Sequence, residues 1–188
     1  MKITKKTALN LLIFAFVLSF FVTPLGTYGK VWLNRIFATA PSIIAVENRG
    51  KIPNYDWRLK DADGNLINFK RSEGKVVFIN FWASWHVPSE AQLHDIQDLY
   101  DAYGDRIDFY IITNEEKAPV EKFMSHNRKF TFPITYRITD EPSPVSILDP
   151  PGVYILDKSG YIVVHQKAIS DWDNEKVTRL LDTLIAEK

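Results

Sequence analysis

Residues 76–89 read Val76-Val77-Phe78-Ile79-Asn80-Phe81-Trp82-Ala83-Ser84-Trp85-His86-Val87-Pro88-Ser89. The first half is a nearly unbroken run of β-branched and aromatic residues. That is the pattern of a strand covered on both faces, as in a mostly parallel sheet. A short polar break and a second Trp follow. Pro88 fits the first turn of a helix, where a missing N–H costs nothing. The helix continues through Glu90 to Tyr100, with Leu93, Ile96, Leu99 and Tyr100 on one face. A strand that feeds straight into a helix sets the turn residues at the positive end of the helix dipole.

Working outward, Tyr103-Gly104-Asp105 stops this helix with Gly at its C-terminal cap. Ile107 to Thr113 reads as a second buried strand, residues 114–117 as a polar turn, and Ala118 to Arg128 as a second helix. Strand and helix in alternation imply parallel pairing with right-handed crossovers. Phe132 to Tyr136 is expected to be a short edge piece, because Pro is disfavoured inside a sheet. Ile138 to Pro151 holds four prolines and is expected to lack regular structure. Val153 to Asp157 and Tyr161 to Lys167 form a strand pair around Lys158-Ser159-Gly160. Val177, Leu180, Leu181 and Leu184 recur at helical spacing after candidate N-caps in Asp171 to Asn174. Upstream, Tyr55 to Lys60 and Leu66 to Lys70 flank an Asp-Gly turn and read as a hairpin.

The frame Phe81-Trp82-Ala83-Ser84-Trp85 followed by Pro88 resembles the TlpA-like membrane-anchored thioredoxins, which carry Phe-Trp-Ala-x-Trp-Cys-x-Pro-Cys at this point. The resemblance covers roughly Tyr55 to Lys188. It implies an α/β thioredoxin-like fold, a central mixed sheet flanked by helices, with an N-terminal hairpin and a single transmembrane helix. It also sets His86 and Ser89 where the family has its two cysteines, and Gln92 where it tends to carry a Glu as acid–base group. Pro151, before Val153, looks like the family's cis-proline. Pro150 and Gly152 flank it where the family prefers a β-branched residue and Thr, so the recognition edge is expected to be altered.

The chain contains no cysteine. Dithiol–disulfide exchange requires a thiolate that attacks a disulfide sulfur, and neither imidazole nor hydroxyl completes that cycle. Disulfide reductase, isomerase and thiol peroxidase activity of this chain alone are therefore excluded. The 188 residues carry 23 basic and 23 acidic side chains, so nothing in the charge balance points to nucleic acid. No residue pattern implies a cofactor.

Residues 1–30 read as an uncleaved signal-anchor. Lys2, Lys5 and Lys6 precede an apolar run from Ala8 to Val22, which with its flanks approaches the roughly 20 residues needed to span a bilayer. Ala38-Thr39-Ala40 lies too far downstream for an ordinary cleavage site. By the positive-inside tendency the N-terminus stays in the cytoplasm. Together with the resemblance, this implies a single-pass protein of a bacterial inner membrane whose globular domain faces the periplasm. Residues 31–53 are expected to be a juxtamembrane linker, in which Val31 to Ala40 is either a short amphipathic piece at the membrane surface, with Trp32 and Arg35 as interface anchors, or a continuation of the anchor helix. Residues 54–188 form the thioredoxin-like domain.

The turn offers two sharper chemistries. His86 and Ser89, one helical turn apart, could form a base–nucleophile pair. The plainer reading is that both fill vacated thiol sites, since no orienting acid or oxyanion donor is visible. His86, Glu90 and His94 fall at i, i+4 and i+8, a stripe that suggests a metal. However, its ends lie about 12 Å apart in helix rise, too far for one ion, so no metal is expected. Trp82 is assigned to the core; Trp85 is divided between packing and binding. The expected binding edge is Trp85, His86, Val87, Pro88, Pro150 and Pro151, holding an extended peptide or envelope protein, with the N-terminal helix in the membrane. Two alternatives stay open: an oxidoreductase by descent with non-thiol chemistry at His86 and Ser89, and a structural subunit of an envelope assembly.

Overall fold

The strand anticipated in residues 76–82 lies in the interior of the sheet, with a neighbour on each side. The computed structural model describes residues 5–22, 26, 29, 33 and 37–187. Its strands are β1 Arg58–Lys60, β2 Leu66–Asn68, β3 Val77–Phe81, β4 Asp108–Thr113, β5 Ile134–Arg137, β6 Gly152–Leu156 and β7 Ile162–Gln166. They form one seven-stranded sheet in the order β2-β1-β5-β4-β3-β6-β7. β3 pairs parallel with β4, and β4 with β5; β6 lies antiparallel to β3. The helices are α1 Lys5–Val22, α2 Val87–Tyr103, α3 Lys117–His126 and α4 Glu175–Ala186. This is the α/β thioredoxin-like fold with a mixed sheet flanked by helices.

All five residues of β3 are buried, and they alternate between two apolar layers. Phe78 faces Trp172 edge-on and packs with Leu93 and Ile96 of α2 and Leu181 of α4. Val77, Ile79 and Phe81 face the other way, onto a layer with Trp57, Leu59, Phe69 and Tyr110. Burying a side chain such as Phe78 contributes about 1.5–3 kcal/mol, so this interior strand is held from both sides. Gly104 does cap α2, although its backbone is right-handed at φ −63°. Close approach explains the glycine: a Cβ there would lie 2.8 Å from the Tyr100 carbonyl oxygen.

Two expectations are corrected. β5 is not an edge piece; it lies between β1 and β4. Pro133 precedes the strand rather than sitting in it, so its missing N–H removes no ladder bond. Nor are residues 39–52 a free linker. Ile43 pairs with Val164 and Lys51 with Tyr161, both antiparallel. The Ile44 N–H donates to the Val163 carbonyl, the Ile162 N–H to Gly50, and the Ile52 N–H to Gly160. The segment covers β7, which would otherwise be an open edge.

α1 carries apolar side chains around its whole described surface. Leu9, Leu12, Phe14 and Phe16 are all exposed. At 18 residues it extends about 27 Å, slightly less than a bilayer's hydrocarbon core. No helix among the described residues is long and apolar enough to cross a membrane. The expected interface residues Trp32 and Arg35 lie outside the described residues.

Candidate functional site

The turn between β3 and α2 is built by hydrogen bonds from both of its neighbours. The Trp82 N–H donates to the Ile112 carbonyl at 3.0 Å, extending the β3–β4 ladder by one bond. Beyond it, the Glu115 carboxylate accepts from the Ser84 N–H at 2.6 Å and from the Ser84 hydroxyl at 2.7 Å. Thr113 donates to the same carboxylate at 3.3 Å. The turn then closes on itself, with the His86 N–H donating to the Ala83 carbonyl at 3.2 Å. Glu115 was read from sequence only as part of a polar turn. Its partner lies far away in the chain, so no local pattern marks it.

His86 is the N-cap residue of α2, but its side chain makes no capping bond; Val87 and Pro88 open the first turn. The His86 Nδ1 instead lies 3.0 Å from the Ser89 hydroxyl. Burial holds the His86 imidazole below its usual pKa, favouring the neutral ring. Ser89 is only 1% exposed, whereas Trp85 is 71% exposed and stands edge-on to the His86 ring. The two positions thus differ: one side chain is inside and one is at the rim. A hydroxyl nucleophile must reach its substrate, and Ser89 does not. No third side chain among the described residues orients His86 as a triad would require.

The metal stripe also separates. His94 Nε2 faces Lys129 Nζ at 3.2 Å and its ring meets Phe130 edge-on, while His86 turns toward Ser89. No group of three ligating side chains that could hold a metal exists among the described residues. Burial raises the Glu90 pKa, partly opposed by Lys129. Gln92 is an internal brace: its amide donates to the Asn80 carbonyl oxygen at 3.0 Å and accepts from the Ser170 N–H at 3.2 Å.

On the other side of the turn, the Pro150–Pro151 peptide bond is cis. Phe81 pairs with Gly152, so the antiparallel register sets Pro151 and Pro150 beside the residues that leave β3. A Cβ on Gly152 would overlap the Leu148 side chain. The Ile147–Leu148 turn folds over this position, which accounts for glycine there. Trp82 is fully buried against Phe123, as expected of a core residue.

A model of the AhpC/TSA family matches residues 50–165, more than half of the chain. The chain belongs to the AhpC/TSA family. Within it, the thiol-disulfide oxidoreductase ResA of Geobacillus kaustophilus is 30% identical over 132 residues, covering 69% of this chain and 74% of the relative. The thioredoxin-like protein YneN of Bacillus subtilis is 27% identical over 110 residues. The chain spans 65% of that relative's length, a little under two thirds. Among solved structures, a DsbF homologue from Corynebacterium diphtheriae superposes with a TM-score of 0.61 at 16% identity, over 77% of this chain and 93% of that one. A secreted thiol-disulfide isomerase from Corynebacterium glutamicum gives 0.59 at 20% identity, over 79% and 93%. At those identities the likeness is one of fold. This AhpC/TSA chain has no cysteine, so the family's dithiol chemistry is lost in it.

Proposed function

We propose that this chain is a non-catalytic binding module, anchored to the bacterial membrane by α1 and its flanks, that holds an extended segment of an envelope protein. The segment lies along Trp85, His86, Val87, Pro88, Pro150 and Pro151. The observation that carries this reading is the Trp85 side chain, 71% exposed at the open end of a turn that is otherwise tightly bonded. A rigid, exposed aromatic is a common anchor for a bound chain, because it offers large area with little entropy to lose. The half-buried His86 and Pro150 extend this surface without a reactive group, over the buried Pro151. The apolar circumference of α1 supports insertion into lipid, and a domain on the non-cytoplasmic face follows from Lys2, Lys5 and Lys6.

A photo-crosslinker at position 85, activated in intact membranes, tests the reading. Capture of a defined envelope protein that is lost on diluting with native chain is the expected result. Purified protein should give no reduction of insulin with dithiothreitol above background. Turnover, or an absence of any crosslinked partner, sinks the proposal. A reactive serine probe that labels Ser89 would favour the descendant enzyme instead.

A further inference from the structure

The ends of β3, β4 and β5 and residues 147–150 enclose a cavity of about 260 Å³ that meets the binding edge only at Pro150. Phe81, Ile112, Leu148 and Pro150 line it, and Arg137 closes one side. Arg137 is paired with Leu59 across β1 and β5, so the two side chains share the sheet face that carries Phe81 and Ile112. Arg137 as a residue is half-buried, yet it makes no ion pair or side-chain hydrogen bond among the described residues. Glu141 pairs with Arg58, Glu115 is held by Ser84, and Asp149, which also lines the cavity, is exposed and makes no ion pair with Arg137.

We propose that this cavity is a subsite for one acidic side chain of the bound segment, with Arg137 as its counter-ion. The inference rests on the peptide-holding reading above. The volume lies below the ~300 Å³ where small-molecule sites begin and suits a single inserted side chain. Phe81, Ile112 and Leu148 accept the methylenes of a Glu or Asp beside the polar Thr113 and Asn114, and a guanidinium receives a carboxylate through two parallel hydrogen bonds. Pro150 belongs both to the cavity and to the binding edge, so a segment lying along the edge passes its mouth.

The test uses the full chain in detergent and fluorescein-labelled nine-residue peptides of Gly, Ser and one Tyr, with Glu, Gln or Lys fixed at each position in turn. Anisotropy should give about tenfold tighter binding for Glu than for Gln at one position, the scale of a charge-assisted pair. Arg137→Gln should remove that preference while leaving the Gln peptide's affinity unchanged. Arg137→Glu should turn it toward Lys, which a misfolded protein would not do. A Glu-to-Gln ratio near one, or a ratio that survives Arg137→Gln, overturns the subsite alone. Failure of every peptide to bind the native chain overturns the peptide-holding reading and the subsite with it.

Discussion

Glu115 accepts both the N–H and the hydroxyl of Ser84, at 2.6 and 2.7 Å, and so ties the turn after β4 to the turn after β3. Glu115→Ala leaves the Ser84 N–H without its acceptor. The expected loss of stability is about 1.5–3 kcal/mol, the range for hydrogen bonds to a charged group. Amide exchange at Ser84 and Trp85 should accelerate, and crosslinking from position 85 should become diffuse. An unchanged melting temperature with unchanged exchange would argue that the clamp is dispensable.

The 3.0 Å approach of His86 to Ser89 means that their side chains face one another across the first turn of α2. Cysteines in both places therefore fall within reach of a disulfide, with a thiol at a helix N-terminus. H86C/S89C should regain measurable insulin reduction, where the native chain has none. Gln92 supplies no acid–base group, so the recovered rate should stay low.

Burial lowers the His86 pKa, and burial with Lys167 nearby lowers that of His165. A base depressed in the folded state is stabilising in its neutral form. That stability is complete above the ordinary value of about 6.5 and is lost as pH falls below it toward the folded value. His86→Gln should flatten part of this acid-side slope in a series of urea melts; His165 accounts for a remainder. A steeper slope in the variant would contradict the sign.

Gln92 bridges Asn80 and Ser170 inside the core. Gln92→Met removes both bonds and strands two buried polar groups. A loss of roughly 1–3 kcal/mol is expected in denaturant melts. The same substitution should leave crosslinking from Trp85 unaffected, which separates a brace from a binding residue.

Trp85→Ala is expected to change stability by less than about 0.5 kcal/mol, since its ring is largely in solvent. Partner capture should fall sharply at the same time. Equal loss of both would assign the ring to packing.

Much of the architecture could be read from local pattern. The apolar run of β3, the amphipathic face of α2 and the alternation of strands and helices carry their own periodicity. The cis bond before Pro151 followed from the resemblance and is present. What could not be read depends on contacts between distant parts of the chain. Ile43 and Lys51 cover β7 through isolated bridges, too short to show a strand period. β5 reads as an edge only if Pro133 belongs to it, and the strand begins one residue later, at Ile134. Ser89 reads as a candidate nucleophile in the sequence because spacing reports adjacency to His86 but not depth. Arg137 and Glu115 carry no motif; only the fold sets one beside Pro150 and the other beneath Ser84.

The docking of residues 39–52 onto the outer strand also has a mechanical consequence. The Asp171 N–H donates to Thr39, and the contacts at Ile44, Gly50 and Ile52 follow in sequence along β7. Tension arriving through the N-terminal chain meets these links one after another, as a zipper does. The outer seam would therefore open at low force while the layers around Phe78 and Ile79 stay unloaded.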